Sequence, residues 1–139
     1  MLLISQLKTL CSEIISAIPA IDGGFVVVID EDNAMNKLAN KPNTILVASA
    51  PSAQSMGQIS STRNNSVVIF WILTKKNTKD EIDQLEALQP LALQLQTYIH
   101  AQAEEGCNLF NFLEIDSLTI DPVYNEFGGF NGWSLMAVF

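Results

Sequence analysis

Cysteine, histidine and positive charge are all scarce in this chain. Among its 139 residues, Cys11 and Cys107 are the only cysteines, His100 is the only histidine, and 7 Lys and Arg face 15 Asp and Glu. The two thiols have no CxxC spacing and no histidine nearby, which argues against a zinc site. Two thiols in a chain of this size do not form a secreted disulfide scaffold, and they read as buried or partly buried free cysteines. A net charge of −8 argues against tight binding to phosphate backbones. The basic residues Lys8, Lys37, Lys41, Arg63, Lys75, Lys76 and Lys79 read as spread along the chain. Their one local group, Lys75, Lys76 and Lys79, is offset by Asp80 and Glu81. Duplex DNA binding is therefore not expected.

Catalytic motifs are missing as well. There is no GxSxG nucleophile elbow, no Walker A loop and no GxGxxG cradle. Asp30, Glu31 and Asp32 fail the calcium-loop template, because Ala34 and Met35 stand where a ligand and a glycine are needed. They read as a solvated turn that caps a short helix. Any histidine-dependent base would have to be His100. The expectation is a protein that is not an enzyme and needs no cofactor or metal. No apolar run approaches the roughly 18 residues that would suggest a membrane span, and the N-terminus does not read as a signal peptide.

What the chain has is apolar residues, 48% of the total, enough for one domain with its own core. The stretch 78–103 carries the strongest pattern. Leu85, Leu88, Ala92, Leu95, Ile99 and Ala103 recur at steps of three and four, one stripe of a helix packed on a sheet. Thr78 and Glu81 have capping-box spacing, and Pro90 should bend or split the helix. Leu91 and Tyr98 widen the stripe and are candidates for a second contact surface. Residues 1–18 predict a first helix. Strands are predicted at 25–29, 44–50, 67–73, 113–120 and 133–139, with a short helix over 33–38. Asp121-Pro122 and Asn131-Gly132 read as turns. The class is α+β: a single domain, residues 1–139, with a mainly antiparallel sheet of about five strands and its helices on one face.

Two segments are candidates for contact with partners. Residues 51–65 are polar and long for a hairpin loop, so 44–50 and 66–74 should pair antiparallel, with Gln54, Ser55, Met56 and Gln58 on a projecting hairpin. Residues 123–133 place Tyr124, Phe127 and Phe130 among three glycines. Those aromatics either close over the core as a lid or insert into a neighbour. A physical argument favours self-association. Phe25–Ile29 and Val67–Leu73 do not alternate apolar with polar, so both faces of the sheet are covered. If the helices cover only one face, another copy of the chain is the economical cover for the other. Trp71, Leu91, Tyr98, Tyr124, Phe127, Phe130 and Trp133 are the side chains expected at that interface.

The closing pattern, Ile120-Asp121-Pro122 and then Gly132-Trp133-Ser134-Leu135 with an apolar last strand ending on Phe139, resembles the tail-terminator and tail-completion proteins of long-tailed bacteriophages. The resemblance extends as element order over most of the chain: an N-terminal helix, a strand pair with a polar hairpin, a helix across the sheet and a closing hairpin. It implies a homo-oligomeric ring, often of six subunits, at the head-proximal end of a phage or prophage tail, in contact with other virion proteins. It implies no catalysis and a location in the virion or host cytoplasm. An acidic lumen would suit passing DNA. Two other readings stand beside it: a protein-binding module that uses the aromatic loop and the hairpin, and a small enzyme built on His100.

Overall fold

The computed structural model describes residues 2–56, 63–77, 80–105, 113–114 and 118–139. Thr78, Lys79, Gln58 and Cys107 lie outside them. The fold is α+β, in the order α1 (Ile4–Ala17), β1 (Phe25–Val28), α2 (Glu31–Leu38), β2 (Ile45–Ser49), β3 (Ser52–Met56), β4 (Arg63–Lys75), α3 (Glu81–Glu104), β5 (Thr119–Glu126) and β6 (Phe130–Val138). The sheet runs β1-β2-β4-β6-β5, and β3 pairs with β4. β1 and β2 are parallel, joined across α2, and every other pair is antiparallel.

The long helix is the predicted one with a different start. Asp80 is its N-cap, and its carboxylate accepts from the Ile82 N–H at 2.8 Å. α3 continues through Pro90, which sits on the exposed side. The buried stripe is Gln84, Leu88, Ala92, Leu95 and Ile99. Gln84 therefore takes the place expected for Leu85. Asp30 caps α2, accepting from the Asn33 N–H at 2.8 Å, as a short polar residue does at a helix start.

The end of the sheet differs from the expectation. Asp121-Pro122 is inside β5, and Asn131-Gly132 is inside β6. The turn between these strands is Phe127–Gly129. Asn-Gly signals a turn only where a turn is free to form. Here Gly132 is held directly against β4, and a Cβ on it would run into the main-chain carbonyl of Ile72. The residue is glycine because two strands meet there, not because the chain reverses. The reversal falls to Phe127, Gly128 and Gly129, all with positive φ, at 51°, 81° and 116°.

Helices pack on both faces of the sheet, so the second face is covered in part within the chain, at the end where α2 lies. Alternate residues of β4 point to opposite faces. Val68, Phe70 and Ile72 meet α1 and α3 in the larger core, together with Leu46, Leu135 and Ala137. Leu73 and half-buried Trp71 face the other way, into a smaller core with Val28, Ile45, Val47, Phe127, Phe130 and the α2 residues Ala34 and Leu38. The short helix was legible in the sequence, but its side of the sheet was not. A parallel β1-α2-β2 crossover places its helix on a face, and here the face is the one opposite α1 and α3.

Candidate functional site

The expected contact residues separate into three groups. Phe127 and Phe130 are 7% and 3% exposed and belong to the smaller core. The aromatic loop is thus a lid on its own chain, and these two rings do not form an intermolecular surface. Phe127 meets Trp71 edge to face, with ring centroids 5.1 Å apart and planes at 81°. A bulky residue with φ of 51° is strained, at a cost of about 1–3 kcal/mol. Burial of the ring against Trp71 is what holds it there.

Leu91, Tyr98 and Trp133 form the second group, half-buried against the larger core. The Trp133 indole N–H donates to the Leu85 carbonyl at 2.9 Å and pins β6 to α3. Desolvation raises the Tyr98 pKa, and the negative charge of Glu13 raises it further. Only Tyr124 is openly exposed, at 55%. Its ring lies 5.6 Å from the Lys76 ammonium, and its hydroxyl is 3.5 Å from a Glu81 carboxylate oxygen.

Gln84 is the residue the sequence reading missed. It is buried, and its amide nitrogen donates to Thr74 Oγ1 at 2.5 Å and the Lys75 carbonyl at 3.0 Å. Its amide oxygen accepts from Asn131 Nδ2 at 2.9 Å, and Asn131 Oδ1 accepts from the Asn125 N–H at 2.7 Å. This network locks the first turn of α3, the end of β4 and the closing turn to one another. A polar residue four positions before Leu88 on an apolar stripe was the available signal. Beside Gln84 an open groove of about 680 Å³ runs between α3 and the 42–44 turn, with Asp22, Asp83, Lys75 and Lys76 on its walls.

The hairpin is built as expected in its described part. Ile45 to Ala48 pair with Leu73 to Phe70, and Ser52 to Met56 pair with Val67 to Arg63. β6 stops opposite Val67, so β3 and the start of β4 continue as a two-stranded ribbon. Gln54, Ser55 and Met56 are in that ribbon.

On the face of the smaller core, among the described residues, α2 and the aromatic turn cover only one end of the sheet. At the other end Val67 stands opposite Val138, and Ile69 opposite Met136. None of the four belongs to either core cluster, and Met136 is 39% exposed. These four apolar side chains form the candidate contact surface.

The charges are not spread evenly along the chain. Six of the seven basic residues lie in 33–79, a stretch without a carboxylate, which gives it +6 and the remainder −14. His100 is half-buried on α3. Cys11 is fully buried, and burial pushes its thiol from the ordinary 9.0 to about 12. Among the described residues no three His, Cys, Asp or Glu gather to hold a metal ion, and no helix is long and apolar enough to cross a membrane. No protein-family model matches the chain, and no match was found among curated proteins.

Proposed function

We propose that this chain is a structural assembly protein of a phage or prophage tail, building a homo-oligomeric ring that terminates or joins the tail tube. The carrying observation is the open half of the smaller-core face, where Val67, Ile69, Met136 and Val138 adjoin by register without cover from α2 or the turn. A contiguous apolar patch of this kind marks a contact surface. The order of elements behind the resemblance is retained: N-terminal helix, strand pair with a polar ribbon, helix across the sheet, closing hairpin. Its two short motifs lie inside strands, so the element order supports the reading and the motifs do not.

A neighbouring subunit covers the open half-face in this reading, and the ring leaves DNA unbound because the chain as a whole carries −8, which outweighs the +6 of 33–79. Electron microscopy of the purified protein tests it. Closed rings are expected for the natural sequence, and Met136→Glu should abolish them. Rings that persist unchanged in Met136→Glu would remove this face from the interface. A protein that forms no closed particle at any concentration, from a gene without portal, major-tail or tape-measure neighbours, would end the proposal.

A further inference from the structure

The backbone itself offers a second contact, one that does not depend on the ring. Ser66 donates to the Phe139 carbonyl at 3.0 Å, and Phe139 donates to the Ser66 carbonyl at 2.8 Å. Such a reciprocal exchange defines a hydrogen-bonded pair, and antiparallel ladders alternate. Even-numbered residues of β4 therefore turn their main-chain groups toward β6, and odd-numbered ones toward β2 and β3. The Ile69 N–H agrees: it faces β2 and is taken by Ser49 Oγ at 2.8 Å. In β3, Ser52, Gln54 and Met56 stand opposite Val67, Asn65 and Arg63 and so bond inward. Ala53 and Ser55 stand opposite Ser66 and Asn64, and their N–H and C=O groups point away from β4. Among the described residues no strand lies beyond them.

The other sheet edges are guarded. β5 carries Pro122, which has no N–H, and a bulge between Val123 and Glu126. β1 has four residues, and its outward Val27 carbonyl is taken by Lys37 Nζ at 2.6 Å. β3 is offset from β2 by one residue, because three residues, Ser49, Ala50 and Pro51, face only Val68 and Ile69. That bulge carries the edge of β3 clear of β1.

We propose that β3 pairs antiparallel with β3 of a second copy, across a twofold axis at Gln54. This register sets Ala53 against Ser55 of the partner and Ser55 against Ala53 of the partner. Each match is a hydrogen-bonded pair, so every outward group finds an acceptor or a donor. A strand from an unrelated partner could lie along the same edge, but charge favours a copy of this chain. Ser52–Met56 and Arg63–Ser66 lie in the carboxylate-free stretch 33–79 and hold a single charge, Arg63, so two copies meet there without setting acid against acid. Arg63, the one charge in those two segments, lies on the outer strand of each copy, toward opposite ends of the joined sheet.

Cysteine cross-linking of the full chain tests the register, in a Cys107→Ser background where buried Cys11 is the remaining native thiol. Two Gln54 residues would face each other as a non-hydrogen-bonded pair, with Cα atoms about 4.5 Å apart, inside the range a disulfide spans. Gln54→Cys should give a covalent dimer, and no larger species, under mild oxidation. Ala53→Cys and Ser55→Cys should each cross-link poorly alone and well when mixed. Adding Ser55→Pro, which removes an outward N–H only, should suppress the Gln54→Cys dimer at least tenfold and leave the melting temperature within a few degrees. Equal cross-linking by all three cysteines, none by Gln54→Cys, or a dimer untouched by a folded Ser55→Pro variant would overturn the proposal. If Ser55→Pro fails to fold, the pattern of the three cysteines decides alone. Loss of this dimer leaves rings built through Met136 intact, and loss of the rings leaves this dimer intact.

Discussion

The two faces of the sheet are closed in different ways. One is filled by two helices carrying regular aliphatic stripes, Leu7, Leu10 and Ile14 on α1 and Leu88, Leu95 and Ile99 on α3. The other is filled at one end by a two-turn helix and a strained aromatic turn, and among the described residues it is left open at its far end. The first face is a conventional helix-on-sheet core. The second depends on a few large side chains whose positions are set by the turn. A change of similar size should therefore have different consequences on the two faces.

The sharpest test is at the centre of the first face. Phe70→Ala should cost about 3–5 kcal/mol, since Phe70 is fully buried and the surrounding helices cannot collapse into the gap. Urea denaturation reads it, and a loss under about 2 kcal/mol would mean the first core is looser than its burial implies. On the second face Phe127→Gly should cost about 1 kcal/mol less than Phe127→Ala. Both lose the ring, but only glycine, which has no Cβ, is unstrained at positive φ. Equal losses would show that the turn carries no strain.

Gln84→Leu should cost about 1–3 kcal/mol, because it leaves the buried Asn131 amide and two acceptors near Thr74 without a partner. If replacing Gln84 and Asn131 together costs as much as the sum of the single changes, the two do not act as a network. Cys11 belongs to the first face and reports its closure through pH. The fold raises its pKa, so the stabilisation is present below about pH 9 and is lost as pH rises toward 12. Stability of the natural protein should fall over that window more steeply than that of Cys11→Ala, and parallel curves would count against a sealed thiol. The smallest effect belongs to Met136→Glu, which should change the stability of the separate subunit by no more than about 0.5 kcal/mol. A large loss would mean that the open half-face is covered within the chain after all.

The difference between the faces also explains what was legible in advance. Helical stripes announce themselves by spacing, so α1, α3 and the sheet they cover could be read from residues 3–18 and 85–103. The hairpin could be read from polar composition between two apolar runs. The second face could not, because which side of a sheet a short helix occupies depends on connection geometry and leaves no periodic trace in Asn33–Leu38. Asn131-Gly132 misled for a related reason. Glycine serves both turns and close strand contacts, and only the neighbour at Ile72 tells the two uses apart. Of the expected contact residues, the large aromatics Phe127 and Phe130 proved to be core. The open patch is made of Val67, Ile69, Met136 and Val138, which read in sequence as interior strand positions, although three are half-buried and Met136 is exposed.

The place of β6 in the strand order has a consequence for how the protein is made. It lies between β4 and β5, in the interior of the sheet, yet it comes from residues 130–138. During synthesis β2, β3 and β4 can pair as soon as they leave the ribosome, but one side of β4 then waits for more than fifty further residues. Val68, Phe70 and Ile72 lie on that waiting strand, with α3 unable to seat fully until Trp133 arrives to hold it. Contacts this distant along the chain form late, so the nascent protein passes through a stage with an exposed apolar strand edge. Expression yield, more than the stability of the finished fold, should respond to how quickly the last strand is delivered or to a chaperone that covers β4 in the interval.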